Sequence, residues 1–188
     1  MKKYFVLPIV FTALLFNGMC YAQDTAEDPE IKAVLLKINS PGGSATASDI
    51  LYNEIVAFKE KTGAKVVAAM MDVAASGGYY ISLPADYILA HPTSITGSVG
   101  VVFIRPDVAG LMDKIGVEVD VSKTGENKDM GSPFRQATAE EKQIIQNMID
   151  RLGQRFLDRI AKHRRIDSQR LADISTARIF LAEDALKL

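Results

Sequence analysis

Two stretches of this chain share one build, a short apolar run that ends abruptly in a glycine-rich turn. "IKAVLLKIN" (31–39) runs into "SPGGS", and "AKVVAAMM" (64–71) leads through "DVAA" into "SGG". Runs this short, apolar at nearly every position, predict strands buried on both faces, which is the pattern of a parallel sheet. Parallel strands cannot be joined by a tight hairpin and need a crossover, usually a helix. Residues 44–63 supply one: Ile50, Leu51, Ile55 and Phe58 recur at helical spacing, and Gly63 stands where a left-handed cap ends a helix. The two runs therefore predict a strand–helix–strand unit. Both glycine turns then fall on the carboxyl edge of one sheet, where α/β folds form their sites.

The alternation continues along the chain. A helix is predicted over 75–83 and stopped by Pro84, with strands at 86–91, 100–104 and 117–122 and a helix at 107–115. Thr138, with Glu141 three residues later, forms a capping box for a long C-terminal helix. Ile145, Met148, Ile149, Leu152, Phe156 and Ile160 mark its apolar stripe. Strands alternating with helices predict an α/β layered domain with a largely parallel sheet. No repeat or low-complexity tract divides residues 23–188, so they read as one domain.

The first 22 residues are built differently. Lys2 and Lys3 precede "YFVLPIVFTALLFNGMC", and the first acidic residues come after it in "YAQDTAEDPE". That order, basic then apolar then small, predicts a secretory signal cleaved after Ala22. Cys20, the single cysteine, would leave with it. The alternative is a retained anchor, although the apolar stretch falls short of the roughly 20 residues that span a bilayer. One thiol excludes an intramolecular disulfide and any multi-cysteine metal site. Lys and Arg total 22 against 23 Asp and Glu, so no basic field predicts a nucleic-acid partner. No metal or organic cofactor is expected.

Ser76 lies between two alanines and two glycines at a strand-to-helix junction. It reads either as a small residue at a bend or as a nucleophile. Ala74 stands where the G-x-S-x-G elbow has its first glycine, so that motif is not matched. A nucleophilic serine needs a base. His91, beside Pro92, and His163, in "KHRR", both read as structural or solvated, which leaves a Ser–His–Asp triad without support. A lysine serves only where desolvation leaves it neutral, and composition does not choose among the lysines. "SPGG" is either an ordinary turn or a pair of amides aimed at an oxyanion together with that of Gly77.

Three blocks, "KAVLLKINSPGGSATASD", "DVAASGGYYISLPADYILAHPTSITGSVGV" and "TGENKDMGSPFRQATAEE", together resemble the signature of the bacterial signal peptide peptidase SppA family. The resemblance runs from Ala26 to Leu188 and implies a membrane-associated serine protease of the ClpP/crotonase-like fold. It implies Ser76 as nucleophile and Lys128 as general base, with Lys123 the nearby competitor. The amides of Gly43 and Gly77 would form the oxyanion hole, and Ser98 would help orient the lysine. The family works without a cofactor. Its short-chain members form rings in which serine and lysine come from neighbouring subunits, and one serine block with one lysine block resembles that type. The implied substrates are small or extended peptides, notably cleaved signal peptides left at the membrane of the bacterial cell envelope.

Two departures set rival expectations. The N-terminal segment joins almost directly to the "KAVLL" strand, where the family has one or two further strands. The sequence also stops at "FLAEDALKL", where the family continues into another strand and helix. A domain shortened at both ends could be an inactive scaffold at the membrane. An acyl-CoA enzyme of the related crotonase fold is the third expectation, but those enzymes have no Ser/Lys pair.

Overall fold

The computed structural model describes residues 3–10, 28, 30–164 and 166–188. They form two compact units: the chain up to Gly100 with Arg155–Leu188, and Val101–Gln154.

The first unit is organised by a six-stranded sheet. β1 (Lys3–Val10), β2 (Ile31–Ser40) and β3 (Lys65–Ala75) lie side by side and parallel. β3 is long, and one of its edges serves two short parallel strands in succession. Its residues 67–70 pair with β4 (Tyr87–Ala90), and residues 73–75 pair with β5 (Ile95–Gly97). β6 (Ile179–Leu181) closes the far edge antiparallel to β5. The ladder between β2 and β3 slips between Ile38 and Ser40, where the Asn39 side-chain carbonyl accepts from the Val73 amide at 3.1 Å. Such an irregularity bends the strand end and re-aims the turn beyond it.

α1 (Ala45–Thr62) makes the crossover from β2 to β3, and Gly63 closes it at φ 66° with its amide on the Lys59 carbonyl. α2 (Gly77–Ser82) comes directly after β3. Leu36, Ile38, Val66, Ala68 and Met70 of the sheet pack with Ile55 of α1 and Ile81 of α2. Burying a large aliphatic side chain of this kind contributes about 1.5–3 kcal/mol. A second cluster joins Tyr52, Tyr80 and Leu83 to Phe156 and Ile160 of α4 (Ala139–His163) and to Ile174 of α5 (Ser168–Ser175). The short α6 (Ala182–Ala185) comes after β6. The second unit holds α3 (Ala109–Ile115), a 3₁₀ turn (Glu126–Asp129) and the first part of α4.

The sheet is mixed α/β and mostly parallel, as the apolar runs predict. Two expected strands do not form. Residues 100–104 and 117–122 are irregular, and Val102, Phe103, Ile104, Val117, Val119 and Val121 are exposed. Apolar alternation makes a strand only where an edge is free to pair, and neither segment pairs among the described residues. The helix expected at 107–115 begins at Ala109. β5 and β6, three residues each, were not foreseen because so short a run carries no period. The stripe on α4 is buried only at Phe156 and Ile160, whereas Met148 and Leu152 are exposed. Of the expected signal or anchor, residues 3–10 pair as β1 and the remainder lies outside the described residues. Among the described residues, no helix is long and apolar enough to cross a membrane.

Candidate active site

β3 passes into α2 through Ser76, which adopts φ 51° and ψ −120°. A non-glycine residue held at positive φ outside a helix stores strain of about 1–3 kcal/mol and persists only where its surroundings fix it. Two backbone bonds do so. The Ser76 amide donates to the Gly97 carbonyl at 2.8 Å, and its own carbonyl accepts from the Tyr80 amide at 2.9 Å. Its hydroxyl makes no hydrogen bond among the described residues and is left free for chemistry.

The two glycine turns interlock around this residue. A Cβ on Gly42, at φ 116°, would stand 2.7 Å from Ser76 Cβ and 3.0 Å from its Oγ. One on Gly77 would stand 2.3 Å from Ser48 Oγ, and one on Gly78 would stand 2.7 Å from the Ser40 carbonyl oxygen. "SPGG" and "SGG" are therefore two halves of one close approach, which side chains would hold apart. A narrow crevice lined by Ser40, Gly42, Gly43, Ser48, Gly77, Gly78 and Ile81 results. The amide nitrogen of Gly43 lies 3.4 Å from the Cβ position of Gly77, and that of Gly77 lies 3.1 Å from the Cβ position of Gly42. The Gly77 amide nitrogen and the Ser76 hydroxyl thus lie close to the same point above Gly42, and the Gly43 amide nitrogen lies close to Gly77.

Ser98 is the residue after Gly97, which pins Ser76, and is itself at φ 53° with its amide on the Arg178 carbonyl at 2.7 Å. The histidines are engaged elsewhere. His91 Nδ1 pairs with Thr93 Oγ1 at 2.8 Å, and His163 Nε2 pairs with the Tyr52 hydroxyl at 2.6 Å. Of the two readings for His163, structural or solvated, the structure shows the first. His163 packs edge-on against the Tyr52 ring, and burial, reinforced by Lys162 and Arg164, pushes its imidazole below the ordinary histidine range.

A polar cluster ties α2 to its neighbours. Asp49 on α1 accepts from the Tyr80 hydroxyl at 2.6 Å and from Arg155 at 2.7 and 3.1 Å. The hydrogen bond from Arg155 holds the Asp49 carboxyl below its usual range, against the opposing effect of burial. Arg159 lies over the Tyr52 ring, 4.3 Å from its centre. Tyr80 sits one turn beyond Ser76, so this cluster steadies the helix that the serine opens.

In the second unit, Lys128 occupies the exposed 3₁₀ turn Glu126–Asp129. Its amine makes no ion pair or hydrogen bond among the described residues. Lys123, the competitor, is committed: its Nζ donates at 2.8 Å both to the Glu126 carbonyl and to Asp129 Oδ1.

The family model for Peptidase family S49 matches residues 58–188, the stretch that contains Ser76, Ser98 and Lys128. The chain belongs to peptidase family S49. It is 40% identical over 165 residues to a protein of Methanocaldococcus jannaschii named as a candidate protease, covering 88% of this chain and 52% of that one. It is 36% identical over 171 residues to a candidate signal peptide peptidase SppA of Enterococcus faecium, covering 91% of this chain and 49% of that one. It is also 34% identical over 160 residues to the chloroplastic serine protease SPPA of Arabidopsis thaliana, covering 85% of this chain and 23% of that one. The chain thus spans about half the length, or less, of these relatives.

Within this S49 chain, Gly43 and Gly77 line one crevice, Ser76 stands against Gly42 of the same turn, Ser98 lies one residue past the carbonyl that pins Ser76, and Lys128 belongs to the other unit. The sequence reading missed Gly42 and Ser48. Gly42 was within reach, since a second consecutive glycine hints that one supplies an amide and the other supplies room. Nothing local marks Ser48, which reaches Gly77 from α1.

Proposed function

We propose that this chain is an exported serine endopeptidase in which Ser76 is the nucleophile and Lys128 the general base. The observation that carries the reading is the strained Ser76 turn, whose hydroxyl has no partner among the described residues and which stands against the Gly42–Gly43 turn. Membership of S49 and the pairing of His91 with Thr93 and of His163 with Tyr52 support a base other than histidine.

The chemistry runs in two halves. Neutral Lys128 takes the Ser76 hydroxyl proton as Oγ bonds to the peptide carbonyl carbon, and the amides of Gly43 and Gly77 receive the oxyanion. The lysine ammonium then returns that proton to the leaving amine as the C–N bond breaks. Water, deprotonated by the same lysine, hydrolyses the acyl-enzyme and restores the serine. In this reading the substrates are signal-peptide remnants or other extended peptides. Residues 1–22 carry the chain into the cell envelope, and a homo-oligomeric ring brings serine and lysine together from neighbouring copies.

The test is covalent labelling with a serine-reactive phosphonate, with the adduct then mapped. We expect the adduct on Ser76, and its loss together with peptide cleavage in Ser76→Ala and Lys128→Ala. A folded chain that is neither labelled nor active would instead be the inactive scaffold. Near-normal cleavage by Lys128→Ala would remove the lysine from the mechanism.

A further inference from the structure

Four charged side chains, Lys123, Asp129, Arg135 and Glu141, surround the turn that carries Lys128, and none of them has a part in the serine–lysine chemistry itself. The turn is a single 3₁₀ segment with no side-chain cap, a form with poor intrinsic hydrogen bonds. Asp129 fixes it. Its Oδ2 accepts from Arg135 Nε at 2.8 Å, and its Oδ1 accepts from Arg135 Nη2 at 2.9 Å and from Lys123 Nζ at 2.8 Å. Arg135 reaches on to Glu141, donating from Nη1 to Oε2 at 2.9 Å and from Nη2 to Oε1. Glu141 is only 2% exposed and closes the capping box: its Oε2 accepts from the Thr138 amide at 2.8 Å, and its amide donates to Thr138 Oγ1 at 3.1 Å. Arg105 brackets the same loop through the carbonyls of Ser132 and Arg135, at 2.6 and 3.0 Å. A planar guanidinium between two carboxylates is a rigid joint, so the turn is fixed to the start of α4.

The same joint has an electrostatic consequence. Asp129 is the chain neighbour of Lys128, and a free carboxylate there would favour the ammonium form, in which a lysine cannot act as a base. Both oxygens of Asp129 are instead held by cations. The charged groups around the turn are Glu126 and Asp129 on it, Lys123 and Arg135 against it, and Glu141 and Arg105 behind them. Of these, Glu126 and Lys123 are exposed.

We propose that Arg135 and Lys123 are positioning residues for Lys128: together they clamp Asp129, and with it the turn, to the start of α4, and they keep that carboxylate from pairing with the base. The proposal rests on the serine–lysine reading of the site.

The experiment measures peptide cleavage by the full chain from about pH 6 to 10, where an unprotonated lysine would bring in activity. The variants are Arg135→Gln, Lys123→Met, and Lys123→Met combined with Asp129→Asn. We expect Arg135→Gln to lower kcat by about tenfold or more while KM stays within about twofold. In both single variants the rise in rate should move to higher pH by about half a unit or more, and adding Asp129→Asn should return it to the wild-type position. A merely structural role would lower the rate without moving the rise. An unmoved rise, or one that Asp129→Asn does not return, overturns the proposal. Lys123→Met decides alone if Arg135→Gln fails to fold by circular dichroism. The same displacement can be read without turnover, by NMR titration of carbon-13-methylated Lys128 assigned with Lys128→Arg. If Lys128→Ala cleaves normally, the dyad reading has failed and this proposal falls with it. If Lys128→Ala is dead while the Arg135 and Lys123 variants match wild type, only this proposal fails.

Discussion

Gly42 and Ser76 face each other so closely that a methyl group on the glycine would stand 2.7 Å from the serine Cβ. Gly42→Ala must therefore push Ser76 aside, and the φ of 116° adds strain of its own. We predict that Gly42→Ala stays folded by circular dichroism but labels with a phosphonate about 10²-fold more slowly, since a shift of about 1 Å has that effect on reacting groups. Labelling at the wild-type rate would mean that Ser76 has room the close contact denies it.

Gly77 and Ser48 form a second such pair, with a Cβ on Gly77 falling 2.3 Å from Ser48 Oγ. The overlap of Gly77→Ala should cost about 1–3 kcal/mol in urea denaturation, the usual range for overpacking. Ser48→Ala removes the offending oxygen and leaves Ser48 Cβ at 3.4 Å, so the double variant should recover most of the loss. Strict additivity of the two changes would show that the clash is not the cause.

Tyr80 holds α2 to α1 through its hydrogen bond to Asp49. We predict that Tyr80→Phe lowers stability by about 1.5 kcal/mol, as for a hydrogen bond to a charged group. Arg155 is half exposed, and Arg155→Met should cost less, about 0.5–1 kcal/mol, because solvent screens the pair. The reverse order in denaturant midpoints would place the anchor on the arginine.

Acid should weaken the two units over different pH ranges. Burial depresses the folded-state pKa of His163 below its ordinary 6.5. The stability linked to this group is therefore present above about pH 6.5 and lost as pH falls through the lower folded value. Glu141 is lowered from 4.5 to about 2, first by the hydrogen bond from Arg135 and then by the Thr138 amide. Its contribution is present above about pH 4.5 and lost between there and about pH 2. Melting temperatures across pH should show both declines. His163→Gln should flatten the first and Glu141→Gln the second, and a variant that leaves its own decline unchanged would refute that assignment.

Much of this site could be read locally. The runs 31–39 and 64–71 are too short and too evenly apolar to be anything but buried strands, and each must end at its glycines. The capping box at Thr138 and Glu141 is equally local, since both partners lie within one turn. "VEVDVS" shows the limit: its alternation is that of a strand, yet residues 117–122 find no edge to pair with among the described residues.

By itself, then, the sequence determined the βα frame, the sheet edge where Ser76 stands, and the capping box that opens the long C-terminal helix. Each of these depends on residues close together in the chain. Only the tertiary structure decided that Gly42 makes the room for Ser76 and that Ser48 needs the bare Cα of Gly77. Only it showed that Asp129 is held by Arg135 and Lys123 while Lys128 is left unpaired among the described residues. Such contacts are set by packing and by the direction of side chains, and sequence spacing records neither.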